Sequence, residues 1–143
     1  MIAMAARSLF LAFAFAGLIA QGAWARAGSF QGAWLEEGQV CANVFVAAGK
    51  TLVFRRPANA FAAAFIIRGQ RLSTPLATCR VSRTSPHGER RVLDLSCTTS
   101  IATNTARAVF GPAEDGGLHR YSAAEGGTAT KYRLCTPEAL KMP

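Results

Sequence analysis

The chain has 143 residues, with 16 Lys and Arg against 8 Asp and Glu, for a net charge of +8 at neutral pH. That length suits one domain and excludes a multidomain architecture. The 50% apolar share is inflated by the first 25 residues, and the remainder has the balance of an ordinary globular domain with no segment of the ~20 apolar residues a membrane span needs.

The first 25 residues read as a secretory signal peptide. Arg7 and the amino terminus supply a positive start, and residues 9–20 are an unbroken run of Leu, Phe, Ala, Ile and Gly. Ala23-Trp24-Ala25 places small residues where a signal peptidase reads, and Ala25-Arg26-Ala27 offers a second site. No Cys stands near the cleavage region to accept a lipid. The expected product is one exported domain, residues 26–143, in the periplasm or secreted.

Beyond the leader, Gly, Pro, Asn and Ser interrupt the chain at short intervals, and the intervening segments are rich in Val, Ile, Phe, Thr and Tyr. This rhythm predicts an all-β fold, a small antiparallel barrel or sandwich of about eight short strands. The segments that read as strands are 30–35, 40–47, 51–55, 64–68, 78–84, 91–97, 106–110, 118–122 and 131–135. Residues 57–64 could supply one helical turn.

The clearest element is a hairpin. Cys79-Arg80-Val81-Ser82-Arg83 and Leu93-Asp94-Leu95-Ser96-Cys97 alternate around a turn centred on Gly88, which sets Val81 opposite Leu95 and Cys79 opposite Cys97. Only Arg83, opposite Leu93, fits this register poorly. Asp115-Gly116-Gly117 reads as turn chemistry for another hairpin.

All four cysteines, Cys41, Cys79, Cys97 and Cys135, fall after the leader. An even number in an exported chain predicts two disulfides, and no two lie as close as zinc-ligand pairs usually do. The hairpin register favours Cys79–Cys97 with Cys41–Cys135. The pairing Cys41–Cys79 with Cys97–Cys135, which closes two loops of equal span, remains open.

Phe30-Gln31-Gly32-Ala33-Trp34 resembles the Gly-x-Trp first strand of lipocalin-like barrels and of small bacterial inhibitors built on related barrels. That resemblance implies that Trp34 plugs the closed end of a barrel and that Arg133, on the last strand, packs over it. The stretch from Ser122 to Lys131-Tyr132 is similar to the Ser and Lys-Tyr loop of periplasmic lysozyme inhibitors, although extra residues separate the Ser from the pair. Read on its own residues, it is a glycine-rich hairpin loop.

Charge is the most unusual surface feature. Between Lys50 and Arg91 there are nine basic residues and one acid, Glu89. A one-sided basic region can steer anionic partners, and Arg55, Arg56, Arg68, Arg71, Arg90 and Arg91 are the candidate surface. Export argues against nucleic acid as the partner, and no aromatic platform interleaves with these arginines. His87 and His119 have no local nucleophile or carboxylate in a recognised arrangement, so neither catalysis nor a metal or other cofactor is expected. The large side chains of 61–67 (FAAAFII) are expected mainly in the core, and are also the first place to look for an exposed apolar patch. The sequence therefore suggests a binding or inhibitor-like module whose partner is an anionic envelope component or an acidic protein. A structural envelope protein is the alternative, and a small hydrolase is a more distant one.

Overall fold

A computed structural model describes residues 30–141. The proposed signal peptide and both cleavage sites lie outside the described residues.

The fold has ten strands: β1 (Gly32–Glu36), β2 (Phe45–Ala48), β3 (Thr51–Phe54), β4 (Ala64–Arg68), β5 (Arg71–Ser73), β6 (Thr78–His87), β7 (Arg90–Thr98), β8 (Thr103–Pro112), β9 (Leu118–Tyr121) and β10 (Ala129–Cys135). One helical turn, α1 (Cys41–Val44), precedes β2, and a 3-10 turn (Ala139–Lys141) follows β10. Eight strands close an antiparallel barrel in the order β1-β10-β9-β8-β7-β6-β5-β4, while β2 and β3 form a separate hairpin. Of the two architectures expected, the barrel is the one adopted. Closure runs through β1, where Ala33 pairs with Cys135 of β10 on one side and Ile66 of β4 on the other.

Strand alternation sends two sets of apolar side chains in opposite directions. The inner set, including Trp34, Phe65, Leu95, Phe110, Leu118 and Tyr132, fills the barrel. The Phe65 and Phe110 rings stack there at 5.0 Å, and the Trp34 indole N–H donates to the Phe30 carbonyl at 2.8 Å. Burying a side chain of this size contributes about 1.5–3 kcal/mol.

The outer set explains why β1 and β4 are apolar on both faces. Leu35, Ala64, Ile66 and Cys135 point out of the barrel wall and are covered by Cys41, Val44, Phe45 and Leu52 of the α1–β2–β3 layer. The disulfides are Cys41–Cys135 and Cys79–Cys97. Cys79–Cys97 crosses the β6–β7 pair inside the barrel. Cys41–Cys135 fastens the outer layer to β10, and closure itself belongs to backbone hydrogen bonds.

Several sequence expectations change in detail. The run 40–47 is a helical turn followed by a strand, not one strand, because its apolar residues cap the barrel's outside. β5 is only three residues long and carries two polar side chains, so its hydrophobic signal is weak. Residues 57–63 are loop and turn leading into β4, which begins at Ala64. The strands of the central hairpin run on to a two-residue turn at Gly88 and Glu89, where Gly88 takes φ +61°. Val81 faces Leu95 and Cys79 faces Cys97 as expected, but a bulge at Ser82 then pairs Arg83 with Asp94 instead of Leu93. The extra residue removes the mismatch.

Candidate anion-binding groove

β4, β5 and β6 bring three arginines into one row. Arg68 and Arg71 flank the two-residue turn Gly69-Gln70, so they lie directly opposite each other, and Arg71 in turn lies opposite Arg80. All three point away from the barrel interior, because their neighbours Ile67, Leu72 and Cys79 point into it. Directly opposed residues have Cβ atoms only ~4.5–5.5 Å apart, and like charges so placed destabilise a sheet.

This row lies in an open groove of about 1400 Å³ between the barrel's outer face and the β2–β3 hairpin with the loop that follows it. Arg55 and Arg56 line the same groove from that loop. Arg55 is oriented by a 2.6 Å bond from its Nε to the Ala42 carbonyl, and Arg68 by a 3.1 Å bond to the Leu52 carbonyl. Both acceptors belong to the outer layer and leave the guanidinium charge uncompensated. Among the described residues, the side chains of Arg56, Arg71 and Arg80 make no hydrogen bond, and none of the five arginines has an ion-pair partner. None of the chain's eight Asp and Glu carboxylates lines the groove. Val53, Phe54 and Leu76 contribute apolar surface, and Ser73, Thr78 and Ser96 contribute hydroxyls.

The sequence-predicted basic surface thus separates into two places. Arg55, Arg56, Arg68 and Arg71 meet in the groove, together with Arg80. Arg90 and Arg91 begin β7, eight residues and roughly 26 Å of strand from Thr98 at the groove end. Arg90 has an internal task. Its guanidinium stacks 3.6 Å above the Tyr121 ring and donates to the carbonyls of Ala123, Ala124 and Gly126, holding the 122–128 loop. Arg91 faces Phe110 across the β7–β8 ladder and bonds the Arg90 carbonyl.

The features suggested by family resemblance are arranged differently here. Arg133 shares a face with Leu35, on the side of the wall away from Trp34, and donates to the Gln39 carbonyl, so it does not cover the indole. Ser122 turns back within its loop to accept the Thr128 N–H at 2.9 Å. Lys131 pairs with Asp115 at 2.6 Å and Glu37 at 3.5 Å, and Tyr132 is buried in the barrel. These three residues are not presented together.

His87 Nε2 lies 4.0 Å from Glu125 with both groups open to solvent, and the His119 ring lies 6.0 Å from that of Tyr121. All four cysteines are disulfide-bonded, and among the described residues no three His, Cys, Asp or Glu side chains gather as a metal site would require. Asp115 takes a turn role, its Oδ1 accepting the Gly117 N–H at 3.1 Å.

Reading the sequence for charge density located the region but missed Arg80 as a groove residue. The available signal was Arg68-Gly69-Gln70-Arg71, a two-residue hairpin turn with Gly first, which forces its flanking arginines into opposition. This chain matches no protein-family model, no curated protein and no solved structure.

Proposed function

We propose that this protein is an exported binding module that holds an anionic group in the arginine groove. The observation that carries the reading is the row Arg68–Arg71–Arg80, joined by Arg55 and Arg56, in a groove that no Asp or Glu carboxylate lines. Fold stability gives no reason to crowd like charges this way, since each opposition raises the energy of the empty protein. An anion bridging two or three guanidiniums relieves that repulsion and gains charge-assisted hydrogen bonds. The leader read in residues 1–25 and the two disulfides support the periplasm or the extracellular space as the place of action.

The test is titration of a soluble polyanion, inositol hexakisphosphate, into the wild-type protein and the Arg68→Glu/Arg71→Glu/Arg80→Glu variant. Arg83→Glu/Arg120→Glu/Lys141→Glu, three exposed basic residues outside the groove with the same total change in charge, serves as the control. Charge-assisted bonds of this kind are worth roughly tenfold in affinity each, so the groove variant should lose at least about 100-fold and the control little. Equal losses in the two variants would reduce the effect to overall charge and end the proposal.

A further inference from the structure

Two turns at one rim of the barrel are built alike. The β5–β6 turn, residues 74–77, and the β7–β8 turn, residues 99–102, both read Thr-x-aliphatic-Ala. In each, the Thr N–H donates to the Ala carbonyl, at 2.8 and 2.9 Å. The Thr hydroxyl oxygen accepts the N–H of the third residue, at 3.4 and 3.3 Å, and of the Ala, at 3.0 and 3.2 Å. The third residue is Leu76 in one turn and Ile101 in the other, and they are 65% and 92% exposed. The turns are neighbours, because Thr78 pairs with Thr98 and Thr98 with Thr103. Two strand spacings therefore separate them by roughly 10 Å.

Turn tips usually carry Gly, Asn, Asp, Ser or Pro. Here each threonine satisfies the turn's own amides, and the tip is given over to an aliphatic side chain that stands mostly in solvent. Leu76 lines the arginine groove. So does Ala58, in the loop that also carries Phe61, which is 96% exposed. Apolar tips and uncompensated arginines thus occupy one side of the molecule.

We infer that this rim docks on a membrane surface rich in anionic phospholipid, with Leu76 and Ile101 entering the interfacial region while the groove arginines bind lipid phosphates. The inference rests on the anion-binding reading of the groove and names its partner. A lipid interface accepts exposed aliphatic tips without a fitted pocket, whereas a polysaccharide offers them nothing to bury against. Guanidinium matches phosphate bidentately, and basic residues near an anionic bilayer each strengthen attachment about fivefold. Among the described residues no helix is long and apolar enough to cross a membrane, and the contact proposed is peripheral.

The experiment is co-sedimentation of the full mature chain with vesicles of phosphatidylcholine alone and of phosphatidylcholine mixed with phosphatidylglycerol, beside the hexakisphosphate titration. The expected result is binding to the mixed vesicles, at least tenfold weaker binding to the neutral ones, and a loss of about tenfold on mixed vesicles for Leu76→Ser/Ile101→Ser. Ile101→Ser alone, which changes a tip outside the groove lining, should bind mixed vesicles more weakly than wild type and keep its affinity for hexakisphosphate. Wild-type protein that binds hexakisphosphate yet ignores mixed vesicles would overturn the membrane inference and leave the groove reading standing. Sedimentation of Leu76→Ser/Ile101→Ser at the wild-type level would do the same. Failure to bind hexakisphosphate or vesicles would remove both.

Discussion

Arg71 stands between Arg68 and Arg80 on neighbouring strands, and its substitution separates what the fold wants from what the groove wants. Threonine is a better strand residue at this exposed position, and Arg71→Thr removes two like-charge oppositions. The variant should be more stable by about 0.5–1 kcal/mol in urea denaturation at low salt, with the gain shrinking as added salt screens the charges. Its affinity for hexakisphosphate should fall roughly tenfold. A loss of stability would mean the row is held by something other than the geometry described. The arginines were legible in the sequence as a cluster, because they crowd a short stretch with one acid. Their division was not. Whether Arg90 faces the same way as Arg71 depends on the barrel's curvature and on the Tyr121 ring beneath it, neither of which local sequence encodes.

At the level of elements, the hairpin of β6 and β7 was readable because alternation and a central Gly fix a register. The bulge at Ser82 was less so, although the poor fit of Arg83 against Leu93 marked the place. β5 escaped notice because three residues with one apolar side chain give no periodic signal. The helical turn at Cys41–Val44 was hidden inside an apolar run, which cannot by itself distinguish a strand in a wall from a cover laid across one. A second elemental feature has a pH signature. Lys131 on β10 ties the β8–β9 turn, through Asp115, to Glu37 just beyond β1. The hydrogen bond from Lys131, then that from the Gly117 amide, holds the Asp115 carboxyl below its ordinary value of 3.8, while Asp115 raises the Lys131 ammonium above 10.5. The lowered acid contributes stability that is complete above pH 3.8 and is lost as pH falls through its folded value. The raised ammonium contributes stability that is complete below pH 10.5 and is lost as pH climbs past its own. Melting temperatures of wild type and Asp115→Asn should therefore differ by a constant amount between these limits and converge outside them.

For the whole molecule, the barrel and the layer outside it depend on different bonds. Barrel closure is a continuous ladder of backbone hydrogen bonds, whereas the α1–β2–β3 layer is a two-stranded hairpin too small to stand alone, anchored by apolar packing and by Cys41–Cys135. That disulfide spans 94 residues against 18 for Cys79–Cys97, and the chain-entropy model assigns it about 4.7 kcal/mol against about 3.2. Replacing Cys41 and Cys135 with Ala should lower the urea midpoint further than replacing Cys79 and Cys97, and it should bare Leu35 and Ile66 to a hydrophobic dye. An all-β chain with two bridges was legible from strand rhythm and an even cysteine count. A doubled wall was not, because nothing in 40–55 distinguishes a strand lying on the barrel from one within it. The layer that Cys41–Cys135 fastens is also one bank of the groove, carrying Val53, Phe54 and the chain into Arg55 and Arg56. A copy kept in a reducing environment would lack the covalent tie that holds this bank against β10, freeing Arg55 and Arg56 from the row Arg68–Arg71–Arg80, which the barrel ladder alone keeps in register. On the proposed anion-binding reading, the bond acts as a delivery receipt, completing the groove only in an oxidising compartment.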